Sequence, residues 1–352
     1  MSTPLETKSK NAIHASTSSG DVGGPRPRTL AGRTLRRPEF GALVGAVAVY
    51  AFFMVTASGA GFVSLEGTAS WLDTAAELGI IAAPVALLLI AGEFDLSIGS
   101  TIGAASMIVA ISSGTYGLPQ WLSIAMALGF SLVVGLVNGI VTTRTKLPSF
   151  IVTLGTQLVI GGGALGFSRA LSGTTAVSLE SDPVMQALFA SKIGPFQASL
   201  LWWIGITILA WWVLTRTRFG NWVYATGGSL EVASEAGVPV ARIKIVLFMG
   251  TSFGAALVGI MQTIAFNGGD VTRGRSFVFD AVIAAVIGGV LLQGGYGSML
   301  GVLLGVATYG IVNIGIFYTG WNTDYAQLFL GALLLIAVIA NNYFRKLALT
   351  SR

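Results

Sequence analysis

The chain has 352 residues, of which 53% are hydrophobic and only 10% are charged. An ordinary soluble domain has about 25% charged residues, so this composition indicates an all-α, polytopic membrane protein. The sequence contains no cysteine, which excludes disulfides, thiol nucleophiles and cysteine metal sites. Its 47 glycines fit close backbone contact between membrane helices.

The segment 1–38 is rich in Ser, Gly, Pro and Arg and has no apolar periodicity, which predicts a disordered tail. It does not read as a secretory signal, because no short apolar core with a small-residue cleavage site precedes the first long apolar run. The only histidine, His14, lies in this tail. We therefore expect its side chain to be solvated, without a catalytic or ligand role.

About ten apolar stretches follow, and each is interpreted as a membrane helix. They lie at 41–60, 71–91, 98–113, 121–143, 149–167, 199–214, 245–266, 280–292, 298–318 and 325–341. The stretches 98–113 and 280–292 are short, so they are candidates for half-helices or re-entrant segments. The transmembrane domain would cover 39–346, and 347–352 would form a C-terminal tail.

The basic residues are concentrated on one side of this predicted bundle. Besides the N-terminal tail, that side contains Arg144, Lys146, Arg216, Arg218, Arg242, Lys244, Arg345, Lys346 and Arg352, whereas the other side contains Arg169, Lys192, Arg273 and Arg275. Because basic loops stay in the cytoplasm, we expect both termini there.

Two glycine-containing interruptions of the apolar pattern resemble each other. The first reads GEFDLSIGSTIG at 92–103, and the second reads QGGYGSMLG at 293–301. Both contain Gly-Ser-x-x-Gly at the start of an apolar run, and paired interruptions of this kind commonly frame a transport path. Coincidence is the alternative for so short a match.

Polar side chains in or between the spans are candidates for a solute path. They are Glu93, Asp95, Ser97, Asn138, Thr153, Gln157, Gln262 and Asn313. Ionised carboxylates are costly in a membrane unless they are capped, paired or hydrated, and Glu93, Asp95 and Asp280 are the acids expected there. Alternatively, Asp95 or Ser97 caps the helix that begins near Ile98, and interhelical hydrogen bonds explain the other polar groups equally well.

The basic loop at 215–244 contains a short predicted helix. Gly228 would permit a sharp turn before it, Ser229 would cap its start, and Gly237 would end it. A capped helix that protrudes from a membrane indicates docking to a soluble partner, and an interfacial helix on lipid headgroups is the alternative. The docking residues would be Gly228, Ser229, Glu231, Ala233, Glu235 and Gly237. The flanking basic residues, Lys244 among them, would meet headgroups or acidic partner residues.

A second short helix is predicted on the other side of the membrane, beginning at Asp182 and Pro183 and ending near Gly194. It would either help to form a platform for a soluble partner or cover the neighbouring helices. The expected docking cations on this side are Lys192, Arg273 and Arg275.

The chain has no phosphate-binding loop, because GGGALG at 161–166 is not followed by lysine, and it is therefore not expected to bind ATP. The sequence also shows no metal-ligand cluster, His-based nucleophile arrangement or Arg-rich span, which disfavours a membrane enzyme or a voltage-gated channel. We expect no catalytic residues, no metal and no nucleic-acid partner.

Four segments, taken together and in order, resemble the permease subunits of ribose-type ABC importers. They are the first interruption at 92–103, LPSFIVTLG at 147–155, the basic loop at 216–238, and 280–305, which contains GGYGS. The resemblance extends over about 71–341. It implies a ten-helix permease of the bacterial inner membrane that pairs with a second permease copy or a paralogue. It also implies a monosaccharide delivered by a periplasmic binding protein and a cytoplasmic ATPase that holds ATP and Mg²⁺.

The family's cytoplasmic coupling helix falls on 228–237. The family often has Asn and Glu where this chain has Ser229 and Leu230, which leaves the identity of the ATPase open. It often has Gly where this chain has Glu93, which leaves the sugar open. Polyols, nucleosides, branched-chain amino acids and furanose signal molecules are alternative solutes. An ion-coupled secondary transporter and a structural membrane protein are less favoured alternative classes.

Overall fold

The computed structural model describes residues 38–350, and it describes side chains over 39–340. The N-terminal segment 1–37, with His14, and residues 351–352 lie outside the described residues. The predictions made for them therefore stay predictions.

The described chain is predominantly helical. The helices are α1 Pro38–Thr56, α2 Leu65–Ile90, α3 Ile98–Val109, α4 Gln120–Thr145, α5 Ser149–Ser172, α6 Pro183–Phe189, α7 Ser199–Arg216, α8 Arg218–Gly228, α9 Leu230–Glu235, α10 Val240–Ala265, α11 Phe277–Ile287, α12 Met299–Thr319 and α13 Tyr325–Thr350. A 3-10 turn at Ser58–Ala60 follows α1, and a π-helical turn at Ala110–Thr115 extends α3. Two antiparallel ribbons pair β1 Ala176–Ser178 with β4 Gly268–Asp270, and β2 Lys192–Ile193 with β3 Phe196–Gln197.

Within the described residues, 8 helices are long and apolar enough to cross a membrane, and α11 and Tyr325–Ala340 are shorter apolar helices. The predicted fold class is therefore confirmed. Of the two stretches expected to be half-helices, only α11 is short, because the π-helical turn completes the 18-residue span Ile98–Thr115. Helix α13 continues to Thr350, and the division into a transmembrane domain and a C-terminal tail stays a prediction.

Helices α2, α3 and α10 form the centre of the bundle. In an apolar 18-residue window of each span, 78%, 72% and 67% of the residues are buried, against 6% for α5. Helix α4 approaches α10 closely through glycines: an added Cβ at Gly135 would lie 2.5 Å from Met249 Cα, and one at Gly139 would lie 2.6 Å from Ile245 Cα. These glycines serve helix packing, as their abundance predicts.

The course of the chain defines two ends of the bundle. Helices α8 and α9 lie between the end of α7 and the start of α10, and we call this the coupling end. Helix α6 and both ribbons lie in the connections at the opposite end, which we call the α6 end.

Candidate coupling loop and transport path

The short helix predicted in the basic loop is present as α9. Ser229 has an extended backbone, and its Oγ accepts a hydrogen bond from the Val232 N–H at 3.4 Å, so it caps the helix start. Gly237 has a φ of +79°, the left-handed conformation that ends a helix. The prediction for Gly228 is not confirmed, because Gly228 ends α8 without a positive φ. The turn between α8 and α9 therefore does not require a glycine at position 228.

Helix α9 packs one side inward and leaves the others exposed. Ala233 is 3% exposed, whereas Leu230 and Val232 are 49% and 63% exposed. Glu231 and Glu235 are exposed as well. Two carboxylates beside two apolar side chains fit a groove in a soluble partner better than a layer of anionic headgroups.

Glu93 connects the coupling loop to the first interruption. Its carboxylate forms an ion pair with the Lys244 ammonium in the first turns of α10, and both side chains are nearly buried. The expectation that Lys244 meets headgroups or an acidic partner is therefore wrong. A buried ion pair is costly to break from one side, so this contact ties α10 to the segment between α2 and α3.

The two interruptions meet each other and the end of α8. The Gly295 N–H donates a hydrogen bond to the Ile90 carbonyl oxygen at 2.8 Å. An added Cβ at Gly227 would lie 2.6 Å from Gly295 N, and one at Gly294 would lie 2.9 Å from Gly92 Cα. We call this contact of Gly92, Gly227, Gly294 and Gly295 the glycine junction. It places the coupling loop against both interruptions.

The Gly-Ser-x-x-Gly pattern shared by the interruptions has no shared local structure. Ser298 precedes α12, and its Oγ caps the helix by accepting from the Gly301 N–H at 3.1 Å. Ser100 lies inside the first turn of α3, and its Oγ donates to the Gln157 carbonyl oxygen at 2.8 Å. The two serines therefore have different roles, which favours coincidence over an internal repeat.

Asp95 lies at the centre of a buried hydrogen-bond network. Its Oδ1 accepts from the Ser97 N–H at 3.0 Å and from Ser97 Oγ at 2.6 Å, and its Oδ2 accepts from Thr251 Oγ1 at 2.6 Å. Asn138 Nδ2 donates to Ser97 Oγ at 2.8 Å, and Asn138 Oδ1 accepts from Thr156 Oγ1 at 2.7 Å. The network joins the start of α3 to α4, α5 and α10.

These hydrogen bonds favour a structural role over solute contact for four of the path candidates, which are Asp95, Ser97, Asn138 and Thr153. Both carboxylate oxygens of Asp95 have protein partners, and the side chain closes the turn before α3, whereas the Ser97 side chain makes no cap bond. Thr153 Oγ1 accepts from the Leu96 N–H at 3.1 Å, which secures the same segment. The interhelical bonds predicted as the alternative are therefore present.

The remaining path candidates are scattered. Gln157 is half-buried on α5, and Asn313 Nδ2 donates to the Tyr309 carbonyl oxygen in its own helix at 3.1 Å. Gln262 is different, because it lines a cavity of about 730 Å³ at the α6 end. Gln262 and Asn313 do not belong to the network of Asp95, whereas the Gln157 carbonyl oxygen accepts from Ser100 Oγ in the first turn of α3.

The cavity contains acids that the sequence analysis missed. Glu66, Asp73 and Glu77 line it from one face of α2, where residues spaced by seven and four positions lie together. Asp73 and Glu77 belong to a spanning helix, so they add to Glu93, Asp95 and Asp280 as acids in or between the spans. Their helical spacing was the available signal.

Helix α6 begins as predicted, since Asp182 Oδ1 accepts from the Val184 N–H at 2.9 Å. It ends at Phe189, and Gly194, with a φ of +62°, instead lies between β2 and β3. Phe189 stacks on Trp202 of α7 with ring centroids 5.6 Å apart. This contact supports the covering role, and the platform role stays a prediction.

The expected docking cations have different surroundings. Arg273 is half-buried: its Nη1 donates to the Gly268 carbonyl oxygen at 2.7 Å, and its guanidinium lies 5.0 Å from the centre of the Phe266 ring. Lys192 is exposed and lines the cavity. Arg275 is exposed and is therefore the better candidate for contact with a partner.

The carboxylate of Asp270 lies in the same loop as Arg273 and Arg275 and changes the net charge of that loop. Burial opposes its ionisation, but hydrogen bonds from Thr272 and the charges of Arg273 and Arg275 outweigh burial and hold the pKa of Asp270 below its ordinary value. Asp270 therefore stays ionised beside the two arginines at neutral pH, which reduces the net positive charge of this loop.

Replacing Asp95 with alanine should lower the apparent melting temperature of the purified protein by several degrees. The change leaves the Ser97 N–H and hydroxyl without their acceptor in a buried site, at a cost of about 2–3 kcal/mol, whereas Thr251 Oγ1 keeps the Phe248 carbonyl oxygen. The control is Asp324→Ala, because Asp324 is exposed in the connection before α13. Equal melting temperatures for the two variants would mean that the network does not stabilise the interruption.

Comparison with known proteins agrees with this architecture. Residues 67–338 match the family described as branched-chain amino acid transport system / permease component. The chain is 31% identical to a fructose import permease of Rhizobium meliloti over 79% of this chain and 78% of that protein. It is 29% identical to a ribose import permease of Haemophilus influenzae over 80% and 87% of the two chains. It is 30% identical to a probable ABC transporter permease of Escherichia coli over 86% and 89%. A family match of this extent shows that the protein belongs to the branched-chain amino acid transport system permease family.

Proposed function

We propose that this protein is the transmembrane permease subunit of an ABC importer that carries a monosaccharide, a pentose or a hexose, across the bacterial inner membrane. The observation that carries the proposal is the glycine junction, which joins the exposed, capped helix α9 through α8 to both interruptions. The fructose and ribose named for the relatives support a monosaccharide as the solute.

In this function a cytoplasmic ATPase, which binds ATP and Mg²⁺, would hold α9 in a surface groove. Leu230 and Val232 would supply apolar contact, and Glu231 and Glu235 would supply charge complementarity. Movement of α9 would reach the interruptions by two connections. One is the backbone contact at Gly227, and the other is the ion pair that ties α10 to the first interruption.

The coupling end would face the cytoplasm, with both termini, and the α6 end would face the periplasm. This orientation follows from the basic residues that flank α8 and α9. The periplasmic binding protein would dock at the α6 end, with Arg275 as one contact.

A second permease copy, or a paralogue, would cover α5. This helix is the least buried of the spanning helices in the described chain. Gly155, Gly162 and Gly166 leave open space on it, since an added Cβ meets no described atom within 4 Å. Small residues permit close helix contact in membranes, and α5 also secures the first interruption through Thr153.

The purified permease alone should hydrolyse no ATP, because its sequence lacks a phosphate-binding loop. Reconstituted with its ATPase and binding protein, it should support hydrolysis that D-ribose or D-fructose stimulates. A coupled phosphate-release assay measures both states. Robust sugar uptake into proteoliposomes with an ion gradient and no nucleotide would contradict the proposal and favour a secondary transporter.

The Arg275→Glu variant should weaken binding-protein affinity by about fivefold at low salt, which corresponds to ~1 kcal/mol, and the difference should shrink as salt rises. The matched control is Arg242→Glu, which makes the same change of charge at an exposed position of the coupling end. Affinity measured in nanodiscs checks the prediction. If Arg275→Glu binds as tightly as the control at low salt, Arg275 does not contact the binding protein.

A further inference from the structure

The cavity at the α6 end has the size and position of a small-molecule site. Its volume of about 730 Å³ lies within the roughly 300–1,000 Å³ typical of such sites. Its lining residues come from α2, β2, β3, α10, α11 and α12, together with residues next to these elements. The cavity lies within one protomer and is separate from the glycine junction.

The cavity wall is rich in hydrogen-bond acceptors. Asp73 Oδ1 accepts from the Gln197 N–H at 3.0 Å, and Glu77 Oε2 accepts from Gln262 Nε2 at 2.8 Å. These bonds hold two carboxylates in fixed positions and leave each with a second oxygen. Glu66 adds a third carboxylate to the same face of α2.

Gln262 provides an independent indication of a ligand. It is 5% exposed and lines the cavity, and its Oε1 has no hydrogen-bond partner among the described residues. A buried acceptor without a donor is unfavourable. Because Oε1 itself has almost no accessible surface, a hydroxyl group on a molecule inside the cavity would satisfy it once the Gln262 amide turns toward the cavity.

The remaining lining residues narrow the class of ligand. The Phe266 and Phe277 side chains offer apolar surface, and Lys192 offsets part of the negative charge of the three carboxylates. The described residues contain no cluster of three acids or histidines that could hold a metal ion. A neutral molecule with several hydroxyl donors and apolar C–H faces fits these features.

We propose that this cavity is a binding site for a neutral polyhydroxylated solute, a sugar or a polyol, inside each protomer. The proposal rests on the proposed function, because the site would receive the solute after its release from the binding protein. Gln262 Oε1 and the carboxylates of α2 would accept hydrogen bonds from the solute hydroxyls. The aromatic side chains would contact its C–H faces.

The absence of cysteine from the sequence permits a direct test by single-cysteine labelling. Ser70→Cys places a thiol in the cavity wall, and Ser58→Cys places one at an exposed position of the same end outside it. The complete importer in nanodiscs is treated with a cationic, membrane-impermeant methanethiosulfonate reagent. The probes are D-ribose, D-fructose, sorbitol and choline.

We expect D-ribose, D-fructose or sorbitol to slow modification of Ser70→Cys by about tenfold at saturation without slowing that of Ser58→Cys. Adding Gln262→Leu should raise the concentration needed for half-protection by about tenfold, because it removes the unpaired acceptor. The matched control, Gln327→Leu, changes an exposed glutamine at the same end and should leave that concentration unchanged.

Three results would overturn the proposal: protection by choline alone, protection that Gln262→Leu does not weaken, or no protection while a sugar still stimulates ATP hydrolysis. The last result would leave the proposed function intact. A complete importer that no sugar stimulates would count against the proposed function itself. If Gln262→Leu does not fold, protection of Ser70→Cys decides the question by itself.

Discussion

Replacing Gly227 with alanine should reduce coupled sugar uptake at least about tenfold while the protein still inserts in the membrane. An added Cβ would overlap the Ile90 carbonyl oxygen and lie 2.6 Å from Gly295 N. These two backbone groups are hydrogen-bonded to each other, so neither can rotate away as a flexible side chain would. Overpacking of this kind costs about 1–3 kcal/mol, and relief would separate α8 from the interruptions.

Uptake into proteoliposomes and sugar-stimulated ATP hydrolysis measure this effect. The matched control is Gly205→Ala in α7, where an added Cβ meets no described atom within 4 Å. Both substitutions raise helix propensity equally, so a difference between them reports the contact at the junction. If the two variants transport at the same rate, the glycine junction does not transmit movement from the coupling loop.

The features predicted correctly from the sequence depend on short-range chemistry. The start and end of α9 follow from Ser229 and Gly237, because a cap and a left-handed glycine act within one turn. The start of α6 follows in the same way from Asp182. The predicted end of α6 is several residues beyond the observed one, because Gly194, a plausible helix terminator, lies in the turn between β2 and β3.

The contacts that assemble the candidate site could not be predicted in this way. Asp95 bonds to Thr251, and Glu93 pairs with Lys244. The two residues of each pair are far apart in the sequence, and local sequence patterns do not indicate which distant residues meet in the fold. The sequence showed glycines in both interruptions but not that the end of α8 lies between them. The acids of α2 are different, because their spacing of seven and four positions is visible in the sequence and is typical of one helix face.

Replacing Gly237 with valine should uncouple the importer. Gly237 has a φ of +79°, which a β-branched residue adopts only at a cost of about 1–2 kcal/mol, so α9 would be strained or lengthened at its end. A short helix transmits movement only if both ends are fixed, and Ser229 fixes the other end. We expect normal insertion and pairing, with sugar-stimulated ATP hydrolysis and uptake falling together.

The control is Gly237→Asn, because asparagine tolerates the left-handed conformation and should preserve most of the transport rate. An added Cβ at this position meets no described atom within 4 Å, so the pair of variants separates backbone strain from packing. Glu231→Lys with Glu235→Lys tests charge separately, since both side chains are exposed and the residues that fix the helix ends, Ser229 and Gly237, are kept. Weaker ATPase binding by this double variant, together with uncoupling by Gly237→Val and near-normal transport by Gly237→Asn, would identify α9 as the helix that the ATPase moves. If all of these variants bind the ATPase and transport at the original rate, α9 rests on the membrane surface and the movement enters the permease elsewhere.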